Sequence, residues 1–287
     1  MTAPATPPAP IPKTGRNLPA AIGVGLGLFA AIAVGLFVAP WLFVLVVATA
    51  LCAGAVELHR ALALKGMHAN IGPIVVGTAV STVGGWAVQH WDLNIQPTTF
   101  VVICLGATVT ACLIARLRGG AEGFLRDIAA SALIIAYIPL MGVFVPLLIG
   151  ADHGPARVIT VLVCVIASDT GAYAVGSTLG RRKLAPSISP SKTWEGLVGS
   201  VVIAGAIGAV ATAYLLPAPW GVGLVLGVAC ALAATLGDLV ESLIKRDAGL
   251  KDMSNFLPGH GGVMDRLDSM LVAVPVGWLI LHLALGA

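Results

Sequence analysis

Long apolar runs separated by short polar links organise this sequence. A membrane-crossing helix needs about 20 mostly apolar residues. Nine segments meet that criterion, at roughly 18–38, 41–58, 71–89, 98–115, 128–149, 157–176, 196–215, 221–240 and 268–286. The stretch before them, MTAPATPPAPIPKTGRN, is rich in proline and has no apolar periodicity, which predicts a disordered tail over residues 1–17. Lys13 and Arg16 precede an apolar run, as in a signal peptide. However, Leu18 to Val38 exceeds the about 7–15 residues of a signal core, so a retained span is expected. The pattern predicts an all-α integral membrane protein with a tail (1–17), an N-terminal group of about five spans (18–150) and a C-terminal group of about four (151–287).

Composition agrees. The 287 residues are 58% hydrophobic and only 10% charged, against about 25% charged in soluble domains. So few charges could not cover a water-soluble globule of this size. That excludes a cytosolic enzyme or a disordered chain. The net charge of +3 spreads 16 cations too thinly for a nucleic-acid footprint. Cys52, Cys104, Cys112, Cys164 and Cys230 lie scattered in apolar runs with no C-x-x-C pair, as packing residues rather than disulfide or zinc partners. Gly23 and Gly27 have a spacing that lets helices approach, but among 35 glycines it carries little weight.

The positions of the cations test the nine spans independently. Lys13, Arg16, Arg60, Lys65, Arg116, Arg118, Arg126, Arg181, Arg182, Lys183, Lys192, Lys245, Arg246, Lys251 and Arg266 fall on one side, and only Arg157 on the other. Losing or adding one span would destroy this fifteen-to-one division. By the positive-inside rule the N-terminus is cytoplasmic and the C-terminus outside. The two longest links, about 177–195 and 241–267, are then both cytoplasmic, and a working site is expected there.

The acids concentrate in the same region. Eight of thirteen fall between residues 169 and 268. Asp169 sits inside the apolar run VLVCVIASDTGAYAVG, and an ionisable group at membrane depth marks a functional site by default. Asp238 and Glu241, then Asp265 and Asp268, each share a helix face at i, i+3. Four carboxylates at adjoining helix ends repel one another unless cations intervene, and a hard divalent ion is the natural mediator. Lys192 with Ser191 and Thr193 offers an ammonium and two hydroxyls to a phosphate. It is no Walker loop, because Ser191 and Pro186 stand where glycines are needed. His260 precedes Gly261 and Gly262, whose backbone N–H groups can approach an anion closely. Together these residues point to metal-dependent phosphoryl or nucleotidyl transfer at a membrane surface, with a lipid as one substrate.

The segment from Ser242 to Asp268, SLIKRDAGLKDMSNFLPGHGGVMDRLD, resembles the signature of the phosphatidate cytidylyltransferase family. Every fixed position is filled: S-x-hydrophobic-K-R, then K-D, then P-x-H-G-G-x-x-D-R-x-D. The stretches Ser168–Tyr173 and Ser189–Gly196 are similar to the family's preceding motifs. The resemblance covers roughly the C-terminal 40% of the chain. It implies that CTP and phosphatidic acid give CDP-diacylglycerol and pyrophosphate. It also implies a homodimer in membrane lipid and a need for Mg²⁺, with a second divalent ion or K⁺ beside it. Joined to the residues, it implies that Asp238, Asp265 and Asp268 hold metal, with Glu241 and Asp169 as further metal or positioning groups. Ser191, Lys192 and Thr193 contact phosphates, His260, Gly261 and Gly262 line the substrate site, and Lys245, Arg246 and Arg266 balance charge or seat the lipid headgroup. The compact chain favours a bacterial plasma membrane. Two alternatives stay open. A CTP-dependent polyprenol kinase would share this chemistry but yield CDP and a phospholipid. A transporter would line a path across the bilayer, yet spans one to five contain almost no ionisable residues and no internal repeat is seen.

Overall fold

A computed structural model of the chain describes residues 27, 30–91, 93–254, 256 and 261–286. The tail over 1–17, Gly23, most of the first expected span and His260 lie outside the described residues. Within the first span, residues 30–37 are helical (α1). The next eight expected spans all appear as helices long and apolar enough to cross a membrane. They are α2 (Pro40–Ala63), α3 (Ile71–His90), α4 (Pro97–Leu117), a broken span of α5 (Phe124–Tyr137), α6 (Pro139–Gly142) and α7 (Phe144–Gly150), then α8 (Gly154–Leu179), α9 (Trp194–Leu215), α10 (Trp220–Asp247) and α11 (Met264–Leu285). The chain is an all-α integral membrane protein.

Proline shapes these boundaries in two ways. Prolines at the first helical turn of α2, α4 and α8 occupy positions whose N–H has no intrahelical partner anyway. Pro139, by contrast, falls inside the expected span 128–149 and ends α5 at Tyr137, because it lacks the N–H and clashes with the preceding turn. The break has a use. Tyr137, at the last position of α5, donates its hydroxyl to the carbonyl of Gly237 in α10 at 3.2 Å.

The bundle's outer surface is apolar: Val102, Ile103, Val198, Val202 and Leu283 all stand exposed. In water such a face would drive aggregation; in a bilayer it is solvated. Exposed aromatics cluster at helix ends, with Trp41 opening α2, Trp91 following α3, Trp194 and Tyr214 at the two ends of α9, and Trp220 opening α10. Amphipathic rings prefer the membrane–water interface, so they outline the slab. Inside, α8, α9 and α10 touch backbone to backbone. A Cβ on Gly208 would run into the Gly223 carbonyl, and one on Gly227 into that of Ala204. Small residues permit this approach where lipid tails are as apolar as the side chains.

The link over 177–195 holds a feature that the apolar pattern did not announce. Lys183–Ala185 (β1) pairs antiparallel with Ser189–Thr193 (β2), Lys183 opposite Thr193 and Ala185 opposite Ser189. Pro190 fits because a two-stranded ribbon has only edge strands.

Candidate active site

The hairpin is fastened at its base by two side chains. Glu195, in the first turn of α9, accepts the backbone N–H groups of Arg181 (3.1 Å) and Arg182 (3.2 Å). Thr193 caps α9, its Oγ1 accepting the N–H of Gly196 at 3.1 Å, as hydroxyls at that position do. The Thr193 hydroxyl therefore serves the helix start, although the residue still borders the cavity beside it. β2 thus projects Ser191 and Lys192 over the ends of α8, α10 and α11.

Between these elements lies a cavity of about 570 Å³, walled by Asp169, Tyr173, Ser191, Lys192, Thr193, Asp238, Asp265 and Asp268 among others. Seven expected site residues, distant in sequence, meet here. Lys192 Nζ lies 2.5 Å from Asp238 Oδ2, and Ser242 donates to the other Asp238 oxygen at 3.2 Å. Asp268 Oδ1 accepts the N–H of Ser269 at 2.6 Å. Asp238 and Asp268 come together because Gly237 lets α10 touch the α11 backbone; a Cβ there would strike the Asp268 carbonyl. Gly237→Ala is accordingly expected to lower stability by about 1–3 kcal/mol and to reduce activity with it. Thermal unfolding in detergent, read beside turnover, measures both.

The four carboxylates expected as metal or positioning groups separate into two groups. Glu241 does not reach the cavity. It is fully buried, and Lys245 Nζ sits 2.5 Å from its Oε2. The same ammonium lies 2.8 Å from Asp265 Oδ1, while Asp265 Oδ2 accepts the N–H groups of Met253 (3.0 Å) and Gly262 (2.8 Å). Asp265 borders the cavity, but its oxygens are engaged by Lys245 and the loop before α11. Lys245, its side chain only 14% exposed, is thus a counter-ion to these two acids. Among the described residues no three His, Cys, Asp or Glu side chains converge closely enough to hold a metal ion alone.

Gly261 and Gly262 also have a different task from the one expected. The N–H of Gly262 approaches an anion of the chain itself, Asp265. Gly261 adopts φ +82°, and a Cβ on Gly262 would lie 2.7 Å from Glu57 Oε2 and 3.0 Å from Asp265 Oδ2. Only glycine fits between two carboxylates so placed. Arg246 is exposed and reaches the Leu250 carbonyl at 3.4 Å, away from the cavity. Arg266 borders a separate, apolar cavity of about 340 Å³ on the other face of α11, with Phe43, Leu51, Met141 and Leu267 in its wall.

One residue the motifs did not reveal is Glu57, near the end of α2. It is almost fully buried and accepts three hydrogen bonds: from Ser254 Oγ (2.6 Å), Val263 N (3.0 Å) and Met264 N (2.8 Å). The signal was present, since Glu57 is an acid at the edge of an apolar span, as Asp169 is within one.

A polytopic helical membrane protein with a lysine- and aspartate-walled cavity at one end of its bundle is the class defined by this geometry, and the chain belongs to the cytidylyltransferase family, whose model matches residues 19–284. Relatives named phosphatidate cytidylyltransferase extend across nearly the whole chain. That of Mycobacterium leprae is 38% identical over 95% of this chain and 90% of its own, and that of Mycobacterium bovis 36% over 94% and 90%. The relative of the same name from Haemophilus influenzae is 42% identical over a shorter stretch, 43% of this chain and 44% of its own.

Proposed function

We propose that this protein transfers CMP from CTP to phosphatidic acid, releasing pyrophosphate and leaving CDP-diacylglycerol in the membrane. The observation that carries the proposal is the cavity in which Lys192, Asp169, Asp238 and Asp268 meet at the end of an apolar bundle, in a chain whose full-length relatives bear that activity in their names. A charged triphosphate enters from water, while the second substrate stays in lipid. Only a site at a helix end serves both.

A phosphate oxygen of phosphatidate attacks the α-phosphorus of CTP in line. The bond from that phosphorus to the α–β bridging oxygen breaks, and its electron pair leaves with pyrophosphate. The nucleophile is already anionic near neutral pH, so no side chain needs to act as a strong base. The residues position and neutralise, as phosphoryl chemistry generally requires. Lys192 exchanges Asp238 for phosphate oxygens, and Ser191 offers a hydroxyl beside it. Arg266, at the apolar cavity, serves the lipid headgroup.

The reaction depends on Mg²⁺, which takes one or two carboxylates and completes its shell with water and substrate phosphates; Asp238 and Asp268 are the pair suited to hold it, and the ion would neutralise charge on the phosphates. We read the protein as a homodimer in a bacterial plasma membrane, with its site on the cytoplasmic face. The fifteen-to-one cation division supports that orientation, as does the one outlier. Arg157 donates to the Gly286 carbonyl at 3.0 Å, at the opposite end of α11 from Asp265. Purified protein in detergent is expected to release pyrophosphate only when CTP, phosphatidate and Mg²⁺ are all present. Release of CDP with a newly phosphorylated lipid would replace this reading with a kinase.

A further inference from the structure

We infer that Glu57 is a positioning residue for the transfer, a brace from the N-terminal half that fixes where α11 presents its aspartates. The inference rests on the proposed nucleotidyl transfer. The contact between α2 and α11 is otherwise apolar, with Ala55 and Leu58 packed in one cluster with Met264 and Leu271. A carboxylate in such a place is strongly disfavoured unless hydrogen-bonded, and among the described residues Glu57 meets that requirement through the short segment 254–264. Two of its donors, Val263 N and Met264 N, are unpaired N–H groups at the start of α11, where negative charge also suits the helix dipole. The third, Ser254, lies in the loop that donates Met253 N to Asp265. Glu57 Oε2 and Asp265 Oδ2 also flank Gly262 from two sides. Each of these three bonds therefore ends within two residues of an atom that binds or carries Asp265. Among the described residues no hydrogen bond or ion pair joins it to the hairpin bearing Lys192.

Glu57→Gln replaces one acceptor oxygen by an NH₂ group, which cannot accept from the backbone N–H it faces. The expected result is a fall in kcat of about tenfold or more, since small misplacements of reacting groups are costly, with KM for CTP within about threefold. Hydrogen exchange supplies a readout apart from turnover: the amides of Val263 and Met264 should exchange faster than in the parent protein. Ser254→Ala removes one bond and leaves the helix start held, so a smaller kcat loss of the same kind is expected. It carries the test if the glutamine variant does not fold. Parent-level kcat in both variants overturns the inference, as does activity lost only in proportion to unfolded protein. If the parent protein fails to turn over CTP with phosphatidate, the functional reading falls, while the exchange rates still judge the brace.

Discussion

Lys245→Met is expected to lose a large share of the protein's stability. Glu241 has no exposure to solvent, and the Lys245 ammonium lies 2.5 Å from it and 2.8 Å from Asp265. Removing one partner of a buried pair strands the other charge in a low-dielectric interior, at about 3–5 kcal/mol. Native domains are stable by only about 5–15 kcal/mol in total, so the loss is a large share. Thermal unfolding in detergent should show it directly. Adding Glu241→Gln should recover part of the loss, because the stranded group then carries no charge. A single variant that melts with the parent protein would show that Glu241 has another counter-ion.

Lys192→Ala is expected to do the reverse, sparing the fold and disabling the site. Its partner Asp238 is about one-third exposed at the side chain, so water screens the carboxylate left behind and the cost in stability is small. The ammonium stands over the cavity, where negative charge on phosphate oxygens has to be met. Deleting one such preorganised group typically costs about 10²–10³-fold in rate, and a loss of about that size in kcat/KM for CTP is expected. Unchanged kinetics would remove Lys192 from the site. Two lysines paired with carboxylates thus differ in role because one pair is buried and the other faces a cavity.

The spans were legible because apolar length is a local property, and each run from 41 to 286 became a helix. The break after Tyr137 follows from Pro139 alone. The hairpin over 183–193 was hidden, because it is fastened by Glu195 of the neighbouring helix and by Thr193 at its own end rather than by an alternating pattern. The site was half legible. Asp169, Asp238, Asp265, Asp268 and Lys192 stood out as charges in an apolar chain, and the fold brings them to one cavity. Spacing could not tell which carboxylates face outward. Glu241 sits one turn from both Asp238 and Lys245, and only the packing of α10 on α11 turns it towards the lysine. Gly261 and Gly262 were expected to approach a substrate anion, and the N–H of Gly262 meets the chain's own Asp265. Glu57 escaped because its partners lie about 200 residues away and no motif spans such a distance.

The helix that carries Asp265 and Asp268 is gripped at both ends. Glu57 meets its first N–H groups and Arg157 one of its last carbonyls, each charge matching the dipole at that end. At 1.5 Å per residue its 22 residues span about 33 Å, the thickness of a bilayer's hydrocarbon core. A rod pinned this way has one axial register. It cannot slide towards either surface without giving up a charged contact. The depth of the aspartates in the membrane is therefore set jointly by an acid at the first turn of the helix and by an arginine about 33 Å away at its last.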